Sequence, residues 1–234
     1  MKKRKMTIAT VKSWNIFNAM RFREIYNEKY NVSILTKREE LSYGRIKSFN
    51  PEYIFFPHWS WKIPKEIYET FKCVVFHMTD LPYGRGGSPL QNLILLKVYD
   101  TKISALRVRE ELDSGEIYMK ENFHIGKGSA EEIFTKASEI IFFKMIPYIL
   151  EKNPTPYEQK GKAIIFKRRT PEQSNIATSK IINLDDMYDF IRMLDAEGYP
   201  KAFLRVGALK ILFSGVHRKG ERLEGRFEIK DERE

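Results

Sequence analysis

Four short apolar runs, separated by stretches with helical spacing, set the rhythm of the first hundred residues. Thr7–Val11, Asn31–Leu35, Tyr53–Phe56 and Cys73–Phe76 are rich in β-branched and aromatic residues and read as strands. After the first run, Ile16, Phe17, Met20, Ile25 and Tyr26 recur at three- and four-residue intervals, and Pro64 opens a short helical segment, Lys65–Phe71. Downstream, Pro82–Pro89 is glycine-rich, Leu90–Leu96 is helical in pattern, and Thr101–Val108 and Ile117–Ile125 are extended. Ser129–Ala130–Glu131–Glu132 forms a capping box before a helix with Ile133, Ala137, Ile140, Ile141 and Met145 on one face. Asn153–Pro154–Thr155–Pro156 reads as a linker. Asn183 then caps a helix with Leu184, Met187, Tyr188, Ile191 and Leu194 at helical spacing. Ala202–Val206 and Leu209–Phe213 read as a hairpin about Gly207–Ala208, and Arg226–Ile229 adds a strand.

Strands alternating with helical crossovers predict an α/β fold: a Rossmann-like, mostly parallel sheet flanked by helices. The domain reading is a catalytic domain over residues 1–156 and a small C-terminal subdomain, helix plus β-hairpin, over 157–234. Lys12–Ser13–Trp14–Asn15 follows the first strand without a glycine, so a dinucleotide fingerprint is absent.

Composition narrows the setting. A hydrophobic content of 42% with 13% aromatics is that of a globular chain, and no stretch approaches the roughly 20 apolar residues that span a bilayer. The start, MKKRKM, is followed by polar Thr7, Thr10, Lys12 and Ser13 and not by a signal core. A lone cysteine, Cys73, excludes an internal disulfide framework and fits a reducing compartment. A cytoplasmic protein with no membrane and no DNA partner is expected. The net charge of +10 has two readings, a polyanionic partner or a heavily charged surface of mixed sign. No group of side chains has zinc-ligand spacing, so no metal is expected.

Three segments carry candidate chemistry: Val75–Phe76–His77–Met78–Thr79–Asp80–Leu81–Pro82, Gly84–Arg85–Gly86–Gly87–Ser88–Pro89, and Leu112–Asp113–Ser114–Gly115–Glu116. His77 lies where a buried strand meets its loop, the usual ligand edge of a parallel sheet. The glycines beyond it allow close backbone approach, and Gly115 is free to take positive φ beside Asp113. Together these strings resemble the formyltransferase superfamily, whose members use 10-formyltetrahydrofolate as formyl donor. Arg168–Arg169–Thr170–Pro171–Glu172–Gln173–Ser174 is similar to a motif of nucleotide-sugar formyltransferases, and Phe76–Ile94 also resembles the formylation domains of some peptide synthetases.

The resemblance implies an N-formyltransferase acting on an amino-deoxy sugar carried on UDP or dTDP, such as a pseudaminic-acid-pathway intermediate. It implies methionyl-tRNA formyltransferase as the alternative, disfavoured because only about sixty residues follow the Arg168–Ser174 string. A catalytically silent binding protein is the third reading. His77 and Asp113 match two family active-site positions; the third, an asparagine that hydrogen-bonds the formyl oxygen, falls on Val75. Loss of such a donor costs about 2.7–4 kcal/mol, and a backbone N–H, Thr79, Gln91 or Asn92 are the possible substitutes. Phe56, Trp59, Trp61, Ile63, Leu81 and Arg109 are the expected folate contacts. Trp59 and Trp61 have the alternative of merely closing the sheet edge. Lys12, Trp14, Arg85, Gly86, Gly87, Arg168 and Arg169 are the expected acceptor-site residues. A homodimer is possible, through the Ala202–Phe213 hairpin.

Overall fold

The computed structural model describes residues 3–233; Met1 and Lys2 of the basic head, and Glu234, lie outside the described residues. In chain order the elements begin β1 (Arg4–Ala9), α1 (Ser13–Ile25), β2 (Tyr30–Leu35), α2 (Tyr43–Phe49), β3 (Tyr53–Phe56), α3 (Lys65–Thr70), β4 (Lys72–His77), β5 (Arg85–Gly86) and α4 (Pro89–Leu95). They continue with β6 (Asp100–Arg107), β7 (Ile117–His124), α5 (Ala130–Ile140), α6 (Ile146–Lys152), β8 (Ile165–Phe166), α7 (Leu184–Arg192), β9 (Ala202–Val206), β10 (Leu209–Lys219) and β11 (Arg222–Asp231). Two compact units result: Met1–Arg85 with Lys102–Phe123 and Thr135–Ile165, and Gly86–Thr101 with His124–Phe134 and Phe166–Glu234.

The α/β reading holds, with a mixed sheet of six strands in the order β2-β1-β3-β4-β6-β7. β1 runs parallel to β2 and β3, and β3 to β4. The direction reverses at β6, which is antiparallel to β4 and places Ser104 opposite His77. All four residues of β3 are buried, as a parallel strand covered on both faces requires. Behind it, Ala9, Leu35, Ile46, Ile54, Phe56 and Ile67 belong to one apolar cluster.

Helix α1 forms where expected, but its buried face differs. Phe17, Met20 and Ile25 are exposed, whereas Trp14, Asn15, Asn18, Ala19 and Phe22 are buried. The cause is partner-specific: Asn18 donates to the Ser138 hydroxyl of α5 at 2.9 Å, and Phe22 packs beside Phe142. A satisfied amide can thus take a core position from a phenylalanine. The capping box at the start of α5 is present in full, Ser129 N–H to Glu132 and Glu132 N–H to the Ser129 hydroxyl. A π turn, Ile141–Met145, joins α5 to α6 just ahead of Pro147, where the missing N–H would break an ordinary helical ladder.

The second unit gathers three discontinuous segments around Arg192. Its Nε donates to Asp189 at 2.7 Å, and one terminal nitrogen donates to Ile125 O and Gly128 O, both at 3.0 Å. Asp189 also accepts from Lys97 and the Tyr99 hydroxyl. Helix α7 carries this pair, capped by Asn183 as expected, and β9, β10 and β11 form an antiparallel sheet. The hairpin strands run longer than the apolar pattern suggests, because β10 and β11 continue into charged residues.

Two outcomes follow. Asp189→Asn leaves the buried guanidinium of Arg192 without its counter-charge and should lower stability by about 3–5 kcal/mol, read from the denaturant midpoint. Burial pushes the Cys73 thiol up to about 12, so thiolate is scarce near neutrality. Alkylation at pH 8 should therefore label Cys73 only after unfolding.

Candidate active site

β4 ends by delivering His77 to the carboxyl edge of the parallel strands, and the chain then turns back through Thr79–Gly84. Ser104 Oγ, from the neighbouring β6, donates to Thr79 O at 2.7 Å and fixes the start of that turn. The returning Gly84 carbonyl lies 2.7 Å from His77 Nε2. A carbonyl only accepts, so the neutral ring carries its proton on Nε2 and its lone pair on Nδ1. That Nδ1 faces Asp113 Oδ2 at 3.5 Å, with the two side chains only 9% and 10% exposed. Residues far apart along the chain are thereby brought together, nearly out of water.

The Asp113 turn departs from the expected geometry in one respect. Asp113 itself takes the left-handed conformation, φ 55, and Gly115 does not. Gly115 is needed for space, because a Cβ there would sit 1.8 Å from Arg107 O. A strained residue of this kind persists only where its surroundings hold it, and such residues cluster at functional sites. The residues just after the expected linker, Asn153–Pro156, supply part of that hold. Tyr157 pairs with Ile117 through two backbone bonds, and Gln159 reaches Asp113 O and Gly115 O. Gln159 is the residue that pattern-reading missed; a lone glutamine beyond a proline-rich stretch has no sequence signature.

The remaining expected contacts are placed as follows. Phe56, Ile63 and Leu81 are buried in apolar clusters. Trp59 and Trp61 meet edge to face, 4.8 Å between ring centroids, and the Trp59 indole N–H has no acceptor among the described residues. Arg109 is exposed and paired with Glu116. Lys12 takes φ 74 and Trp14 is buried, its ring edge on His58. The Arg85 guanidinium is bound by Gln159.

In the second unit, Gly86 has φ 100, and a Cβ on Gly87 would meet Arg168 Cβ at 2.5 Å. The close approach that this glycine permits is therefore to the protein's own backbone. Arg168 is exposed; Arg169 donates to Gln173 O, lies over Phe190, and has its pKa lowered by burial.

Val75, where the family asparagine would stand, is half-buried between two apolar clusters. The side-chain substitutes are all engaged. Thr79 donates to Gly84 O, Gln91 to Met193 O, and Asn92 to Gly87 O, Ser88 O and Lys167 O. A backbone N–H is what remains of the substitutes considered. Among the described residues no group of His, Cys, Asp or Glu is arranged to hold a metal ion, and no helix is long and apolar enough to cross a membrane.

Residues 171–230 match the C-terminal domain of methionyl-tRNA formyltransferase. A methionyl-tRNA formyltransferase structure from Clostridium thermocellum superposes with a TM-score of 0.94 at 52% identity, covering 97% of this chain and 99% of that one. The methionyl-tRNA formyltransferase of Bacillus cytotoxicus is 27% identical over 180 residues, 72% of this chain; the match spans only 56% of that relative. HypX from Aquifex aeolicus, solved with tetrahydrofolic acid, shares the fold at TM-score 0.75 and 16% identity, covering 93% of this chain and 38% of that one.

These findings overturn two expectations, the nucleotide-sugar acceptor and tRNA as the disfavoured partner, and they favour the alternative reading. The sixty-odd residues judged too few for the tRNA enzyme's C-terminal domain are the ones that match it. The Arg168–Ser174 string, read as a sugar signature, stands in a chain whose strong resemblance is to a methionyl-tRNA enzyme. With 52% identity across nearly the whole of both chains, this chain belongs to the formyltransferase superfamily.

Proposed function

We propose that the chain transfers a formyl group from 10-formyltetrahydrofolate to the amino group of methionine esterified to tRNA. The observation that carries this is the His77–Asp113 pair at the sheet edge, in a chain that resembles a methionyl-tRNA formyltransferase along almost its full length. A polyanionic acceptor also gives the net charge of +10 a purpose, and a buried lone cysteine fits a cytoplasmic setting.

The folate fit rests on the β3–α3 loop. Half-buried Trp59 packs on the apolar cluster that holds Phe56 and Ile63, Trp61 meets it edge to face, and the unpaired Trp59 N–H suits a ligand rich in acceptors. The folate supplies a one-carbon unit at the formyl level on a nitrogen able to leave.

His77 and Asp113 perform the proton work. The neutral methionyl amine would attack the formyl carbon while the bond from that carbon to the folate nitrogen breaks; His77 would take the proton that the amine must lose and return it to the leaving nitrogen. The resulting imidazolium donates to Gly84 O through Nε2 and faces the Asp113 carboxylate through Nδ1, so both ring protons are stabilised. Such proton transfer is worth about 10²–10⁴ in rate.

His77→Ala and Asp113→Asn should each lower kcat at least about tenfold while leaving folate binding near wild type. Wild-type turnover in His77→Ala removes this mechanism. With methionyl-tRNA as acceptor, the apparent KM should rise at least about tenfold between about 50 and 200 mM salt. Formylation that ignores salt, or that proceeds equally on free methionine, rejects the tRNA reading.

A further inference from the structure

Every hydrogen-bonding position of the Gln159 amide that faces the site is in use. Nε2 donates to Asp113 O and Gly115 O, each at 2.8 Å. Oε1 accepts two bonds from the Arg85 fork, at 3.1 Å from Nε and 2.9 Å from a terminal nitrogen. Arg85 in turn approaches Glu111 at 3.9 Å, on the entry side of the same turn. One side chain therefore ties the loop that follows His77 to both flanks of the turn that carries Asp113.

That turn needs such a tie. Asp113 is left-handed, a strained conformation for a residue other than glycine. Gly115 is pressed against Arg107 O, with no room for a side chain. The two carbonyls around Ser114 converge on one point, and an NH₂ group is the smallest donor able to serve both. None of the four bonds goes to the imidazole or to the Asp113 carboxylate, so Gln159 acts on them only through the backbone.

We propose that Gln159 is a positioning residue that holds the Asp113 carboxylate toward His77, an inference that rests on the formyl-transfer reading above. The chemistry requires an amide. A carboxylate would keep the two bonds from Arg85 but set lone pairs against both carbonyls. An alkyl side chain would lose all four bonds.

The test compares wild type with Gln159→Glu, Gln159→Ala and Gln159→Asn, using formyl-tetrahydrofolate and methionyl-tRNA, with hydrogen–deuterium exchange on the same proteins. In the Glu and Ala variants kcat should fall about tenfold or more, with KM for either substrate within about twofold and Tm near wild type. Amides in Leu112–Glu116 should exchange faster while those of β1–β4 do not change. Gln159→Asn, which keeps the amide on a shorter arm, should recover part of the lost kcat. Wild-type kcat in both the Glu and Ala variants overturns the inference, as does a loss that merely follows a fall in Tm. A wild-type chain that transfers no formyl group counts against the proposed function instead. The exchange comparison then decides by itself, and unchanged exchange over Leu112–Glu116 in Gln159→Ala refutes the positioning role.

Discussion

The approach of Asp113 to His77, 3.5 Å between a carboxylate oxygen and a ring nitrogen that are both nearly out of water, is the constraint around which the first unit is organised. Neither residue belongs to the segment that carries the other. His77 is placed by the pairing of β4 with β3 and β6. Asp113 is placed by a turn between β6 and β7 in which it takes a left-handed backbone and which Gln159 bridges. Withdrawn from water, an imidazole and a carboxylate interact far more strongly than at a surface, so small errors in their placement are costly.

Much of the fold could be read from local pattern. The β3 boundaries, the Ser129 capping box and the Asn183 cap follow from strand composition and capping chemistry, which act over a few residues. What could not be read depended on partners distant in sequence. The buried face of α1 is chosen by Ser138 and Phe142, so Phe17 and Met20 lie outside despite their spacing. Helix α2 has no strong apolar period, and the reversal at β6 leaves no local mark. At the site, His77 and Asp113 were legible because they stand in recognisable strings. Gln159 was not, since a single glutamine becomes meaningful only when the fold brings two carbonyls to it.

The acceptor shows where local strings mislead. A two-arginine, proline and serine run looked like a sugar signature, but Arg168 makes close backbone contact with Gly87 and Arg169 is tied to Gln173 and Phe190. Part of that string thus has work inside the second unit, independent of any acceptor. Length was an equally poor guide, since α7 and the β9–β11 sheet fall within residues that match a tRNA enzyme's C-terminal domain. Val75 remains the marked departure from the superfamily pattern. Half-buried, it packs against two apolar clusters of the first unit, where the family amide would stand.

The most direct measurement is a crystal structure of this chain with a stable 10-formylfolate analogue. The formyl carbon is expected over the carboxyl edge of β4, with its oxygen beside the His77 ring, the pterin against Trp59 and Trp61, and Asp113 still facing Nδ1. An analogue bound elsewhere, or a His77 ring turned away from the formyl group with Asp113 displaced, would contradict the assignment of these two residues as the proton-transfer pair.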